Sequence, residues 1–215
     1  MFDQAIVLAV HTVVLGYWLG SDLVINSEYR FIVHRSDLPV PARDAMMDHL
    51  MVVDQHVRYA LVLQAMLGSM LLAGLGLFPA AVALIAPLAG LAWLGLVEMA
   101  HRLRKTATGL QLALIDRLVR YTVGAGLVAL ALLQADWPLW LRIKLALFAG
   151  VIGCGVIIRF RLINHFTTWA AIVSDGSTPE REAVLRRTYW RATSVLALLW
   201  LQVAAIAVLA VLRPF

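Results

Sequence analysis

Residues 59–97 carry no charged side chain, and a run of that length is about twice the roughly 20 apolar residues that a helix needs to cross a bilayer. Shorter charge-free runs cover 4–21, 121–135, 145–158 and 192–212. With 62% hydrophobic residues, 14% charged residues and a mean hydropathy of +0.84, the chain has the composition of an integral membrane protein. Pro79 in "LFPAA" supplies a turn that divides the long run into two crossings. The two shortest runs become full spans when Arg120 and Lys144 sit near their ends and extend their charges toward the interface. The expectation is an all-α, polytopic membrane helical bundle with about six transmembrane helices, near residues 4–25, 55–78, 80–101, 117–135, 138–159 and 191–213, forming a single integral membrane domain over 1–215. The runs are long, rich in Leu and Ala and free of period-two alternation, which argues against a membrane barrel.

Orientation follows from the cations. Arg30, Arg35 and Arg43 fall in the first connection, Arg102, Arg104, Lys105 and Arg117 in the third, and Arg159, Arg161, Arg181, Arg186, Arg187 and Arg191 in the fifth. These connections are expected to be cytoplasmic, with both termini outside. The formal net charge of +5 is accounted for by this asymmetry and by attraction to anionic lipid, so membrane lipid is the expected partner and nucleic acid is not. "MFDQ" lacks the basic start of a cleaved signal, and a retained first helix is expected.

Soluble-enzyme signatures are absent: there is no Gly-rich phosphate loop, Ser-His-Asp set, CxxC or HExxH. The single Cys154 in "GVIGCGV" reads as a small packing residue. Gly16 and Gly20, Gly124 and Gly126, and Gly150, Gly153 and Gly155 suggest close helix packing. In the polar stretch "SDGSTPEREAV", Ser177 or Thr178 is a candidate N-cap with Glu180 and Glu182 in the first turn of a helical extension into the last span.

The informative residues are therefore the polar ones inside the spans, because each is costly in lipid. His11, Leu15, Trp18 and Asp22 recur at helical spacing and form one stripe, while Gly16 and Gly20 occupy another face, so the first helix is expected to be packed on both sides. His11 lies roughly 10 Å inward from the outer end at 1.5 Å per residue, and Lys144 in "WPLWLRIKLAL" lies about 9 Å in by the same rise. The two share a depth.

Those residues carry a resemblance. The outer-leaflet His11 with Trp18 seven residues on, the "WLRIKLAL" opening of a later parallel helix and the "DQHVRYALVL" segment with Arg58 together resemble the membrane-bound, oxygen-independent protoporphyrinogen oxidases of the HemJ type and the related CopD-type copper-resistance proteins. The resemblance implies a helical membrane fold of a bacterial-type inner membrane that binds haem b. It implies His11 and Lys144 as iron ligands, Trp18 and Arg58 as supporting positions, and oxidation of a porphyrinogen or electron transfer to quinone as the activity. The chain differs from the family in having six expected spans where the HemJ type has about four, and in "GSDLVINSEYR" after the first helix. A haem iron accepts a His nitrogen, and a lysine ligates as the neutral amine that a low-dielectric site favours. Arg58 and Arg142 are candidates to pair with propionates.

A second constellation lies at the other side of the membrane. "MMDHLMVVDQH" places His49, Met51 and His56 near the inner end of the second span, with His101 approaching from the third, and thioether and imidazole ligands suit Cu(I). This pattern supports an alternative reading as a copper-handling permease; a third is a non-catalytic membrane subunit that holds a redox or transport partner, or a second copy. Asp22, Arg58 and Glu98 are a candidate ion-paired cluster. His34 and His165 are expected in solvated loops, Asp116 at a solvated helix entrance, and Tyr189 and Trp190 in an interfacial belt.

Overall fold

The computed structural model describes residues 3–212. Six α-helices follow in chain order: α1 Gln4–His34, α2 Val40–Gly74, α3 Val82–Arg102, α4 Ala107–Leu133, α5 Leu139–Asp175 and α6 Pro179–Leu212. Five of them are long and apolar enough to cross a membrane. The exception is α4, which carries Asp116, Arg117 and Arg120 near its middle. The all-helical class and the number of helices agree with expectation, and α3 falls within two residues of its expected limits.

Elsewhere the helices are longer than their apolar runs. α5 has 37 residues and α6 has 34, about 55 and 51 Å at 1.5 Å per residue, against a hydrocarbon core of roughly 30 Å. The surplus comes from the polar stretch 160–190, which continues both helices. Local chemistry sets the ends. Asp3 accepts the Ala5 N–H at 2.8 Å and caps α1. Pro39 precedes α2 and Pro41 lies in its first turn, where a missing N–H costs nothing. Thr106 Oγ1 accepts the Gly109 N–H at 3.1 Å and caps α4. Gly176, at φ 93°, ends α5 in a conformation that a side chain would resist. Thr178 Oγ1 then accepts the Arg181 N–H at 3.3 Å, so α6 begins where the expected cap and its acidic first turn lie. In the link between α1 and α2, a hydrogen bond from Arg35 holds the exposed Asp37 carboxyl below the usual range.

The chain divides into two compact units. The first comprises Met1–Ile25 and His49–Leu118, the second Asn26–Asp48 and Val119–Phe215. In the first, Trp18, Ala60, Val62, Leu67 and Val97 are buried, and Gln55 Nε2 donates to the Val97 carbonyl at 3.1 Å, tying α2 to α3. Gly90 lets α3 approach Met66 so closely that a Cβ there would stand 2.5 Å from its sulfur. The second unit is built on α5 and α6, which run antiparallel on either side of the 176–178 turn. Gly150 faces Gln202, and Gln202 in turn donates to Cys154 Sγ at 3.7 Å. Cys154 is thus buried packing against a polar neighbour, as its small-residue setting suggested.

Candidate functional site

Within the first unit, three helices converge on a groove of about 600 Å³ lined by Tyr17 of α1, Tyr59 and Leu63 of α2, and Leu94, Gly95 and Glu98 of α3. Gly95 is there because it has no side chain to fill the space; nothing lies within 4 Å of where its Cβ would stand. The wall is apolar except at two points, and at each a phenol is paired with a base. Tyr17 is hydrogen-bonded through its hydroxyl to His56 Nδ1. Tyr59 donates to Glu98, which also receives Arg102 one turn further along α3. His56 stands edge-on to both tyrosines, with ring centroids 5.9 Å from Tyr17 and 6.1 Å from Tyr59. Two phenol–base hydrogen bonds, Tyr17 with His56 and Tyr59 with Glu98, therefore line the groove, and an edge-on ring contact joins His56 to Tyr59.

Reading the sequence alone passed over Tyr17 and Tyr59. Each is a single aromatic at helical spacing, which ordinarily means packing, and only the meeting of three helices marks them out. One local signal existed: His56 and Tyr59 are three residues apart on α2 and so share a face.

The expected inward stripe of α1 is present in its lower half, with Trp18 and Asp22 buried. His11 is half-buried in the first unit. Its Cε1 lies 3.8 Å from where a Cβ of Gly68 would be, and its carbonyl accepts Gln64 Nε2 at 2.9 Å. The imidazole thus rests against a bare stretch of α2 instead of pointing straight into lipid. Lys144 belongs to the second unit and is half-buried on α5. Arg58 is ion-paired with Asp54 at 2.7 Å, one helical turn back, and Glu98 is paired with Arg102. Arg142 Nε donates to the Ala131 carbonyl at 2.8 Å. The small-residue face of α1 is open: nothing lies within 4 Å of the Cβ positions of Gly16 and Gly20, because α1 makes its contacts on the His11 and Trp18 side.

Of the residues considered for copper, His56 is engaged by Tyr17, His101 receives Arg104 at 3.3 Å, His49 is exposed and Met51 half-buried. Among the described residues no group of three or more His, Cys, Asp or Glu side chains converges on a point.

The second unit holds a different polar cluster. Arg43 is fully buried and makes a two-point ion pair with Glu182, Nη1 to Oε1 at 2.7 Å and Nη2 to Oε2 at 3.1 Å, while its Nε donates to the Ile32 carbonyl at 3.1 Å. Its guanidinium lies 5.2 Å over Trp169, whose indole N–H donates to Asp44 at 3.0 Å. Close by in the chain, His165 is fully buried, against the expectation of a solvated loop, because α5 continues past it. Thr188 Oγ1 donates to backbone carbonyls of α6, so its 2.8 Å bond to His165 Nδ1 requires the imidazole to donate. That leaves Nε2 a buried acceptor without a partner among the described residues. Tyr189 is likewise buried and stacks edge-on with Tyr29, not in an interfacial belt, whereas Trp190 is 54% exposed as a belt residue would be. In the first unit, Asp116 is buried and accepts the Trp93 indole N–H at 2.9 Å, so it is not a solvated helix entrance.

No family model, no curated protein and no solved structure matches this chain.

Proposed function

We propose that the protein is a multi-pass membrane redox protein of a bacterial-type inner membrane, with both termini outside, that binds haem b through His11. The observation that carries this reading is the placement of the His11 imidazole, half-buried within the first unit, with its Cε1 3.8 Å from where a Cβ of Gly68 on α2 would stand. His11 fits the role of axial ligand by donor type and setting. Trp18 is buried on the His11 stripe and holds that face of α1 in place. Arg58 suits the role less well, since Asp54 already compensates its charge; it serves the site by fixing α2. Bound haem supplies one-electron chemistry whose potential is set by its ligands and by burial.

The test is titration of purified protein in mild detergent with hemin. Saturable binding at one per chain, with a red-shifted Soret band that is lost in His11→Ala, is the expected result. Equal binding by wild type and His11→Ala contradicts the assignment.

A further inference from the structure

The groove between α1, α2 and α3 is unrelated to any residue assigned to the haem, and its chemistry selects a ligand. α3 is 21 residues long, about 31 Å, and Glu98 lies roughly 24 Å from its Val82 end. The groove therefore lies toward the Arg102 end of α3, and its apolar wall admits a lipid-soluble ligand. Leu63, Leu94 and Gly95 offer it an apolar wall, and Tyr17 is 40% exposed at the rim. A hydrocarbon chain needs nothing more than that wall. Two phenol–base pairs are superfluous for it and costly to place in lipid.

We propose that this groove binds the head group of an isoprenoid quinone in both its oxidised and reduced forms. A quinone presents two carbonyl acceptors on opposite sides of one ring, and the Tyr17 and Tyr59 hydroxyls are two donors on different helices. A quinol presents two donors in the same places. Each phenol can then turn its own hydrogen to the base behind it, Tyr17 to His56 and Tyr59 to Glu98, and accept from the ligand. Arg102 keeps Glu98 anchored while Tyr59 changes partner. An aliphatic carboxylate offers only acceptors, and the Glu98 carboxylate repels it. The inference deepens the redox reading above, since it names the lipid-soluble partner with which such a protein exchanges electrons.

The experiment is quenching of intrinsic tryptophan fluorescence by a decyl-substituted benzoquinone, with the purified full chain in nanodiscs, for wild type with and without added hemin, Tyr17→Phe and Tyr59→Phe. Trp93, one residue before Leu94, is the expected reporter. Removal of one neutral hydrogen bond weakens binding about three- to tenfold, so each Phe variant is expected to shift the midpoint by that factor, with circular dichroism unchanged. Wild type is expected to give the same midpoint with and without added hemin, which separates this proposal from the haem assignment. Oleate at equal concentration is expected not to compete. Linear quenching, wild-type midpoints in both Phe variants, or competition by oleate on equal terms overturns the proposal, the last by identifying an acyl-chain groove.

Discussion

Replacing Arg43 by Met tests the energetic centre of the second unit. Arg43 is 0% exposed and the Glu182 side chain 5%, so the substitution leaves a carboxylate buried without its main partner. Breaking one side of a buried ion pair costs about 3–5 kcal/mol. Ser177 donates to Glu182 at 2.6 Å with or without Arg43 and so offsets none of this, while loss of the contact over Trp169 removes up to about 2 kcal/mol of cation–π attraction. A net loss of about 3–7 kcal/mol follows, or roughly 6–28 °C in melting temperature for a chain of this size. The assay is unfolding in detergent micelles followed by far-ultraviolet circular dichroism, for Arg43→Met, Glu182→Leu and the double variant. The double variant is expected to be at least about 2 kcal/mol more stable than the sum of the single effects, because neither charge is then left alone. A loss under about 1 kcal/mol for Arg43→Met, or strict additivity, would refute the reasoning.

Three further outcomes are expected. Gly109→Ala should destabilise by about 1–3 kcal/mol in the same melts, because its Cβ would stand 1.9 Å from the backbone oxygen of Leu103, and backbone cannot move aside as a side chain can. His165→Phe should fold within about 1 kcal/mol of wild type or more stably, since it removes a buried unpartnered acceptor while Thr188 keeps its backbone bonds; a large loss would show that the imidazole nitrogen has a partner. In a Cys154→Ser background, a cysteine at exposed Asp37 should react with an impermeant maleimide only from the cytoplasmic side, and one at Leu75 only from the opposite side; the reverse pattern would invert the proposed orientation.

Much of the architecture was legible because lipid imposes a simple rule: residues 59–97 and 192–212 have nowhere else to go, and Pro79 must break the first of them. The helix ends were less legible for an equally physical reason. Residues 160–175 have no long apolar run, so hydropathy alone did not carry α5 through them, whereas the cap and acidic first turn at 178–182 marked the start of α6. What buries His165, Leu185 and Tyr189 is the antiparallel pairing of α5 with α6, together with an ion pair between Arg43 and Glu182 that lies 139 positions apart in the chain. The Thr178 cap could be read locally and was. A small-residue stripe states only that close approach is available: Gly150 takes it against Gln202 and Gly124 against Ile152, whereas on α1 no neighbour takes it at Gly16 or Gly20. Polar residues within spans pointed to the right helices for the groove, through His56 and Glu98. The phenols that complete it were hidden by their ordinary spacing, and only their convergence from α1 and α2 distinguishes them from packing aromatics.

The central claim is that this chain carries haem b on His11. The most direct measurement is a pyridine haemochrome assay, with oxidised and dithionite-reduced visible spectra, on wild type and His11→Ala purified in mild detergent from haem-replete cells. The account predicts near-stoichiometric b-type haem in wild type and its loss in a His11→Ala protein of normal helicity. A colourless wild-type protein, or a His11→Ala variant with undiminished haem, would contradict it.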